Sequence, residues 1–469
     1  MRVEAAVDRV KQGGCLKKAA QALAGKRALV VGLASTGIAA ARFLKKCGAV
    51  VTASDAKQLS ELNGAGDLID IGVTVEAGAD EPAGAQGARM IVVSPGVPYD
   101  LPFLERARSR GAEVISEVEL AYRFMDAPVV AIAGTNGKTT TTALLGRALE
   151  DAGRKVFVGG NIGTPAIEYV EGGGGASVCV LEISSFHLET TAGFNPHIGV
   201  LLNITEDHLD RYRDFGHYAQ TKFRLFENQG PRDYAVVNMN DPVIAGRAKA
   251  GLGLGRVVPF TVSGRLKNGL YLDGDSIVYV REGVREVYGP VSGFGLKGLH
   301  NMENIMAVVA AARLMGVGRE SLLGTLKRFK GLSHRMEAVR ELDGVVYVDD
   351  SKGTNIGALM MALRGVKGPV VLIAGGRDKG GDYGVLKDLV KEKVRLMVLI
   401  GEARLKMERA LGPYTGTVKA DTLEEAVRAA RDAARKGDTV LLCPACSSFD
   451  MFKSYKERGE RFRACVEAL

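Results

Sequence analysis

The run Gly134-Thr135-Asn136-Gly137-Lys138-Thr139-Thr140 carries the clearest chemistry in this chain. It follows the apolar run VVAIAG (129–134) and opens a helical pattern. Glycines in such a loop let backbone N–H groups turn inward around phosphate oxygens, and the helix N-terminus adds a favourable dipole. Lys138 has the reach for β- and γ-phosphates, and Thr139 offers a hydroxyl to Mg²⁺. A strict Walker loop wants a glycine where this chain has Ile132, so the match is to a shorter variant. The chemistry implied is ATP binding with Mg²⁺. A chance glycine turn would not be expected to bring strand, glycines, Lys-Thr and helix together in that order.

Two acidic strand ends come next. Glu182 sits in LEISSFH (181–187), at the end of an apolar run, where a carboxylate beside the phosphate loop can bind Mg²⁺. The plainer alternative is an ion pair with a lysine. In Asn203-Ile204-Thr205-Glu206-Asp207-His208-Leu209-Asp210-Arg211-Tyr212, His208 among carboxylates can hold a second divalent ion or orient an anionic substrate. A lone histidine is more often structural, but the clustered acids favour a site.

Gly32-Leu33-Ala34-Ser35-Thr36-Gly37, with Asp55 after the next strand, approaches a dinucleotide fingerprint. Ala34 replaces the middle glycine, which weakens NAD binding and leaves another nucleotide, such as a uridine diphosphate group, or an ordinary turn with Asp55 as a helix cap. Near the other end lie His334-Arg335-Met336-Glu337, Asp349 to Asn355 (DDSKGTN) and Gly375-Gly376-Arg377-Asp378-Lys379. Lys and Arg at several strand ends suit carboxylate and phosphate binding, although any one alone reads as surface charge. Cys443 and Cys446 have CxxC spacing, yet they follow a late strand and not the first strand-helix turn of a redox unit. Chance is favoured there.

The elements that must position these residues fall in three blocks of short β-branched runs alternating with helical patterns. That alternation predicts an α/β fold of parallel sheets, with ligands at the carboxyl ends of strands. The boundaries expected are 1–126 (with an N-terminal arm over 1–25), 127–331 and 332–469. Met125-Asp126-Ala127-Pro128 marks the first break. A more β-rich, glycine-punctuated stretch is expected over roughly 255–295, and helices near 301–315 and 319–330. The first 25 residues read as an amphipathic helix or loose arm.

A chain of 469 residues suits about three domains at roughly 150 residues each. The charge of +8 is dispersed, without a basic block or interleaved aromatics, so a solvated surface is favoured over nucleic-acid binding. Apart from Cys443 and Cys446, the six cysteines show no paired spacing, which indicates a reducing compartment. No run approaches the ~20 apolar residues of a membrane span, and the N-terminus lacks a secretory pattern. A monomeric cytoplasmic enzyme is the expectation.

Together and in this order, the motifs resemble the Mur ligase family over about Arg27 to Glu467. GTNGKTT is shared across that family and with folylpolyglutamate synthase. SPGV, GGNIG, LEISSFHLE, NITEDHLDRY, HNMEN, GLSHR, DDSKGTN and CPACSSFDMFKSYKERGERF are sharper. The Asp-Asn-Pro-Arg run of the diaminopimelate- or lysine-adding members is absent, as is the Gly-Thr-His-Gly-Lys loop of the L-alanine-adding member.

The resemblance implies three domains: a Rossmann-like N-terminal one for the UDP group, a central P-loop ATPase-like one, and a Rossmann-like C-terminal one for the amino acid. It implies ATP-dependent addition of D-glutamate to UDP-N-acetylmuramoyl-L-alanine through an acyl phosphate, for peptidoglycan precursors. By position, Ser35, Thr36, Asp55, Lys57, Gly96 and Asn161 would contact the UDP-muramoyl substrate. The loop 134–140 with Asn301, Asn304, Arg335 and Asp350 would bind ATP. Thr139, Glu182 and His208 would serve Mg²⁺. Lys222 matches the lysine that the family carbamylates; from the sequence pattern alone it is a solvated helix lysine. Thr354, Lys379, Ser448, Phe449 and Tyr455 match the D-glutamate pocket, and Lys352 would orient a carboxylate or acyl phosphate. The chain departs from the family at Ala56, at His187 (a glutamine elsewhere), and in the spacing from His208 to Lys222. An NAD-dependent dehydrogenase and a nucleotide-binding regulator are the competing readings; the phosphate loop opposes the first.

Overall fold

The computed structural model describes residues 14–208, 211–366 and 368–469. Most of the expected arm, and Leu209 and Asp210 of the histidine motif, lie outside the described residues. The chain packs as two compact units. The first takes the residues through 204, with 218–293 and 303–326; the second takes 205–217, 294–302 and 327–469.

Two sheets build the first unit. One is parallel, with strands β1 (Arg27–Val31), β2 (Val50–Asp55), β3 (Thr74–Ala77), β4 (Met90–Val93) and β5 (Glu113–Ser116) in the order β3-β2-β1-β4-β5. The order reverses beside β1, and that is where open α/β sheets bind ligands. The other has nine strands: β6 (Val129–Ala133), β7 (Val156–Gly160), β8 (Val178–Glu182), β9 (Ile198–Leu201), β10 (Tyr234–Asn238), β11 (Arg256–Thr261), β12 (Gly269–Asp273), β13 (Ser276–Arg281) and β14 (Val284–Tyr288). Their order is β14-β13-β12-β11-β10-β9-β6-β8-β7. Every residue of β6, β8 and β9 is buried, as parallel strands covered on both faces require. The glycine-punctuated stretch resolves into β11 to β14, the last three strands pairing antiparallel.

The two sheets are braced through the short helix Ile167–Glu171 and the segment after β8. Arg42 pairs with Glu171 at 2.9 Å and with Glu168 at 3.4 Å. Buried Glu119 accepts from the N–H groups of Ala192 (3.0 Å), Gly193 (3.1 Å) and Phe194 (2.9 Å). Glu117, also buried, accepts from Ile167 N–H. Exposed ion pairs contribute little, whereas losing Glu119 would strand several donors at about 1–3 kcal/mol each. The helix Gly14–Leu23 lies against the same region: a Cβ on Gly174 would fall 2.6 Å from Cys15 Sγ.

The second unit holds a six-stranded sheet: β15 (Glu337–Leu342), β16 (Val345–Asp349), β17 (Val370–Gly375), β18 (Val394–Ile400), β19 (Gly416–Lys419) and β20 (Thr439–Leu442). The order is β15-β16-β20-β17-β18-β19, parallel except for the β15–β16 hairpin. Sequence reading expected β16, β17, β18 and β20 but not the edge strands β15 and β19. Both edges are half-exposed and charged, so neither shows an apolar run. Among the described residues no helix is long and apolar enough to cross a membrane.

Candidate active site

The phosphate loop leaves β6 where the nine-stranded sheet reverses order, between β9 and β8. Its glycines are needed there. Gly134 has φ +152° and Gly137 φ +82°, and a Cβ on Gly137 would fall 2.3 Å from Asn304 Oδ1. Asn203, just past β9, straps the loop. Its Oδ1 accepts from Thr135 N–H at 3.1 Å and Asn136 N–H at 2.8 Å, and its Nδ2 donates to Asn136 O at 3.1 Å. The sequence reading quoted Asn203 within a motif without giving it this role. Lys138 opens the helix Lys138–Asp151, with Thr139 and Thr140 behind it, and donates to the carbonyls of Gly134 (2.9 Å) and Thr135 (2.8 Å).

Lys222 is buried, not solvated. Its Nζ donates to Gly134 O at 3.0 Å and sits 4.7 Å from the centre of the Tyr218 ring, whose hydroxyl lies 3.0 Å from Thr135 Oγ1. A single helical lysine carries no sign in sequence of the loop it packs against. Glu182 is 2% exposed and pairs in register with Ile132, two residues before Gly134. Its partner is not a lysine: Oε1 accepts from Asn161 Nδ2 at 2.8 Å, while Oε2 is buried with no hydrogen-bond partner among the described residues. An orphaned carboxylate oxygen costs about 1–3 kcal/mol, and a cation would satisfy it. This donor set fits Mg²⁺. His187 is buried one turn further on, held by Ser184 Oγ at 3.1 Å; burial pushes it down to about 4, so the ring is neutral near pH 7.

At the first sheet, Asp55 does not cap a helix. Its Oδ2 accepts from Leu33 N–H at 2.7 Å and its Oδ1 from Lys57 N–H at 3.0 Å, bracing the turn after β1. Ser94 Oγ donates to Gly32 O at 2.7 Å. A Cβ at Gly37 would fall 1.8 Å from that same carbonyl, so helix and turn can approach only with glycine. Ser35 and Thr36 open the helix Ser35–Lys46 at this edge, Lys57 is exposed, and a Cβ on Gly96 would meet nothing within 4 Å.

In the second unit, loops after β16, β17 and β20 lie side by side. Asp350 N–H donates to Leu442 O at 2.8 Å, Ala445 N–H to Gly353 O at 2.9 Å, and Gly375 N–H to Pro444 O at 2.9 Å. Arg377 and Ser447 exchange backbone bonds at 3.0 and 3.1 Å. Asp350 is buried, accepting from Met336 N–H (3.2 Å) and Cys443 Sγ (3.1 Å); burial raises its carboxyl to about 7. Arg335 stands between two left-handed residues, His334 (φ 62°) and Met336 (φ 47°). His334 Nδ1 lies 2.7 Å from Asp349 Oδ2, and its N–H donates to Glu337 at 3.0 Å. Lys352 Nζ rests 4.1 Å from the centre of the Tyr455 ring. Ser448 is buried and Phe449 is 65% exposed. Asn301 donates to Lys297 O at 2.8 Å.

Asp207 was not singled out in sequence, and it gathers this unit's polar groups. Its Oδ2 accepts from Asn355 Nδ2 at 3.0 Å, and its Oδ1 lies 4.0 Å from Lys379 Nζ. His208, in a left-handed conformation (φ 55°), has Nε2 3.6 Å from the same carboxylate. The Asp-His adjacency was the available signal. Cys443 and Cys446 are buried and unpaired, and burial raises the Cys446 thiol to about 11, which suits no redox pair. Lys222 and Asn304 belong to the first unit; His208, Asn301, Arg335 and Asp350 belong to the second.

Three family descriptions match the chain in sequence: "Mur ligase MurD-like, N-terminal domain" over 26–116, "Mur ligase middle domain" over 132–312, and "Mur ligase, glutamate ligase domain" over 334–446. The chain belongs to the Mur ligase family. Among its relatives is the UDP-N-acetylmuramoylalanine–D-glutamate ligase of Geobacter metallireducens, 50% identical over 448 residues, covering 95% of this chain and 98% of the relative. The pseudomurein peptide ligase type C of Methanothermus fervidus has the same fold, with TM-score 0.61 and 19% identity over 94% of this chain and 100% of that one. So has the MurF ligase of Thermotoga maritima, solved in complex with ADP, with TM-score 0.58 and 20% identity over 89% and 95%.

Proposed function

We infer that this chain is an ATP-dependent ligase that joins D-glutamate to UDP-N-acetylmuramoyl-L-alanine. The observation that carries the reading is the strapped phosphate loop with the unpartnered Glu182 oxygen beside it. The D-glutamate assignment draws support from the relatives' activity and from Lys379, Lys352 and Asp207 on one set of strand ends.

A carboxylate resists amines because its leaving group is poor. In the proposed reaction the L-alanine carboxylate attacks the γ-phosphate of ATP, giving an acyl phosphate and ADP. The D-glutamate amine then attacks that carbonyl through a tetrahedral intermediate, and phosphate leaves. The chain's part is positioning and charge stabilisation. The N–H groups of the loop 134–140 and the Lys138 ammonium cradle phosphate. Asn304, Asn301, Arg335 and Asp350 complete the proposed ATP contacts. Mg²⁺, when bound, offsets phosphate charge; Thr139 and Glu182 are its proposed ligands, with His208 and a carbamylated Lys222 proposed for a further ion. Ser35, Thr36, Asp55, Lys57, Gly96 and Asn161 take the UDP-muramoyl end. Thr354, Lys379, Ser448, Phe449 and Tyr455 take D-glutamate, whose carboxylates suit the lysine charges. Lys352 orients carboxylate or acyl phosphate.

Domains at 1–126, 127–331 and 332–469 go with this reading, each enclosing one sheet. A monomer in the cytoplasm also goes with it, and the six unpaired cysteines suit a reducing compartment. The test is ADP release with ATP, Mg²⁺ and UDP-N-acetylmuramoyl-L-alanine, comparing D-glutamate with L-alanine, L-lysine and diaminopimelate. Release that requires D-glutamate is expected. Release with another amino acid moves the substrate within the family, and none with any of them removes the ligase reading.

A further inference from the structure

Arg458 is among the largest side chains wholly withdrawn from solvent. It lies in the first turn of the helix Tyr455–Glu467, which Ser454 caps. Among the described residues no carboxylate forms an ion pair with it, although Asp450 and Asp349 act on it from further away. Burial lowers its pKa to about 10, so it remains a cation near pH 7. An unpaired buried cation is costly, and an apolar side chain of similar volume often packs as well or better. The guanidinium therefore calls for a reason beyond packing.

Its bonds supply one. Nε donates to Ser351 Oγ at 3.0 Å, and Nη2 donates to Ser351 O at 2.8 Å and Cys446 O at 3.4 Å. Ser351 Oγ donates in turn to Tyr455 O at 2.8 Å, and Ser351 N–H donates to Asp349 at 2.8 Å. The loops after β16 and β20 thus meet on one planar fork. The loop after β17 closes on it too: a Cβ at Gly376 would fall 3.4 Å from Nη1 and 2.3 Å from Ser447 O. These three loops carry Lys352 and Thr354, Lys379, and Ser448 and Phe449. None of those residues is bonded to Arg458 directly.

We infer that Arg458 is a positioning residue for the amino-acid step: its buried fork sets the register of three strand-end loops and so the spacing of the groups that receive D-glutamate. This rests on the D-glutamate reading. Lysine cannot replace it, because a single ammonium cannot reach acceptors on two loops in one plane.

The test uses the full chain as wild type, Arg458→Lys, Arg458→Met and Ser351→Ala. KM is measured for D-glutamate, ATP and the UDP-substrate. Acyl-phosphate formation without D-glutamate is read by trapping with hydroxylamine, which displaces phosphate and leaves a hydroxamate. Arg458→Lys should raise KM for D-glutamate about tenfold, leaving the other KM values and the trapping rate within about twofold. Ser351→Ala, which keeps the guanidinium, should move the same constant about threefold. A fall in trapping together with all three KM values shifting would reduce Arg458 to a structural role. An unchanged D-glutamate KM in both variants would also overturn the inference. If the Met variant fails to fold, the Lys and Ala variants decide. If the wild type uses another amino acid, the same split is read on that amino acid, which keeps the two failures separate.

Discussion

The phosphate loop of the first unit and the strand-end loops of the second place polar groups by opposite means. The first is a short continuous run shaped by its own backbone: two left-handed or extended glycines, a helix start, and one strap from Asn203. The second is assembled from three distant stretches of chain whose peptides bond to one another over Arg458. A contiguous run tolerates little change at its glycines but depends on few outside residues. An assembled site spreads its geometry over many residues and can be loosened from beneath.

Substitutions can break or sharpen that contrast. Lys138→Ala should lose at least about 100-fold in turnover by removing a charge clamp, as ADP release would record. Near-normal turnover would remove its assigned role and with it the contrast. Lys379→Ala should raise KM for D-glutamate about tenfold while KM for ATP holds, and a parallel rise in both would show that the second unit does not separate the two ligands. Asn203→Ala deletes the strap, whose Oδ1 takes two N–H groups, and should cost about 1–3 kcal/mol in a denaturant melt with a several-fold higher KM for ATP. An unchanged ATP constant would mean that the glycines alone hold the loop.

The smallest effect concerns pH. Each unit buries one carboxyl raised to about 7 by desolvation, Glu117 in the first and Asp350 in the second. Between the ordinary carboxyl value of 4.5 and about 7, folded Glu117 keeps a proton that the unfolded chain has released. Stability therefore falls as pH rises through that window. Glu117→Gln should flatten part of the fall between pH 5 and 8, leaving the share due to Asp350. Denaturant midpoints at the two pH values measure it, and an identical fall in both proteins would acquit Glu117.

How legible each region was in sequence follows the same division. The loop 134–140 could be read almost whole, since its spacing is local and its flanking strand is an unbroken apolar run. The buried strands β16, β17 and β20 were equally plain. The burial of Lys222 and the gathering role of Asp207 were not, because both depend on which strand ends become neighbours. The sequence offers Asp55 as a helix cap or a contact to the UDP-muramoyl substrate; its bracing of the turn after β1, through a bond across 22 residues, is visible only in the fold. Arg458 lies inside the run CPACSSFDMFKSYKERGERF and carries no signal of its own in sequence. Charges at Lys456, Glu457 and Glu460 surround it in sequence, and only the sheet order places it under three loops.

The bracing around the helix Ile167–Glu171 has a consequence for the acceptor. The turn after β1 and the phosphate loop belong to one compact unit, fastened by Glu117, Glu119 and the Arg42 pairs. Two stations fixed on one frame act as a gauge. On the proposed reading, an acceptor held by its uridine end at the turn after β1 would bring its far carboxylate to the phosphate loop at a reach set by that frame, which would disfavour acceptors one amino acid longer or shorter. Selection by length would then follow from how the two sheets are fastened to each other, in addition to the contacts proposed at each station.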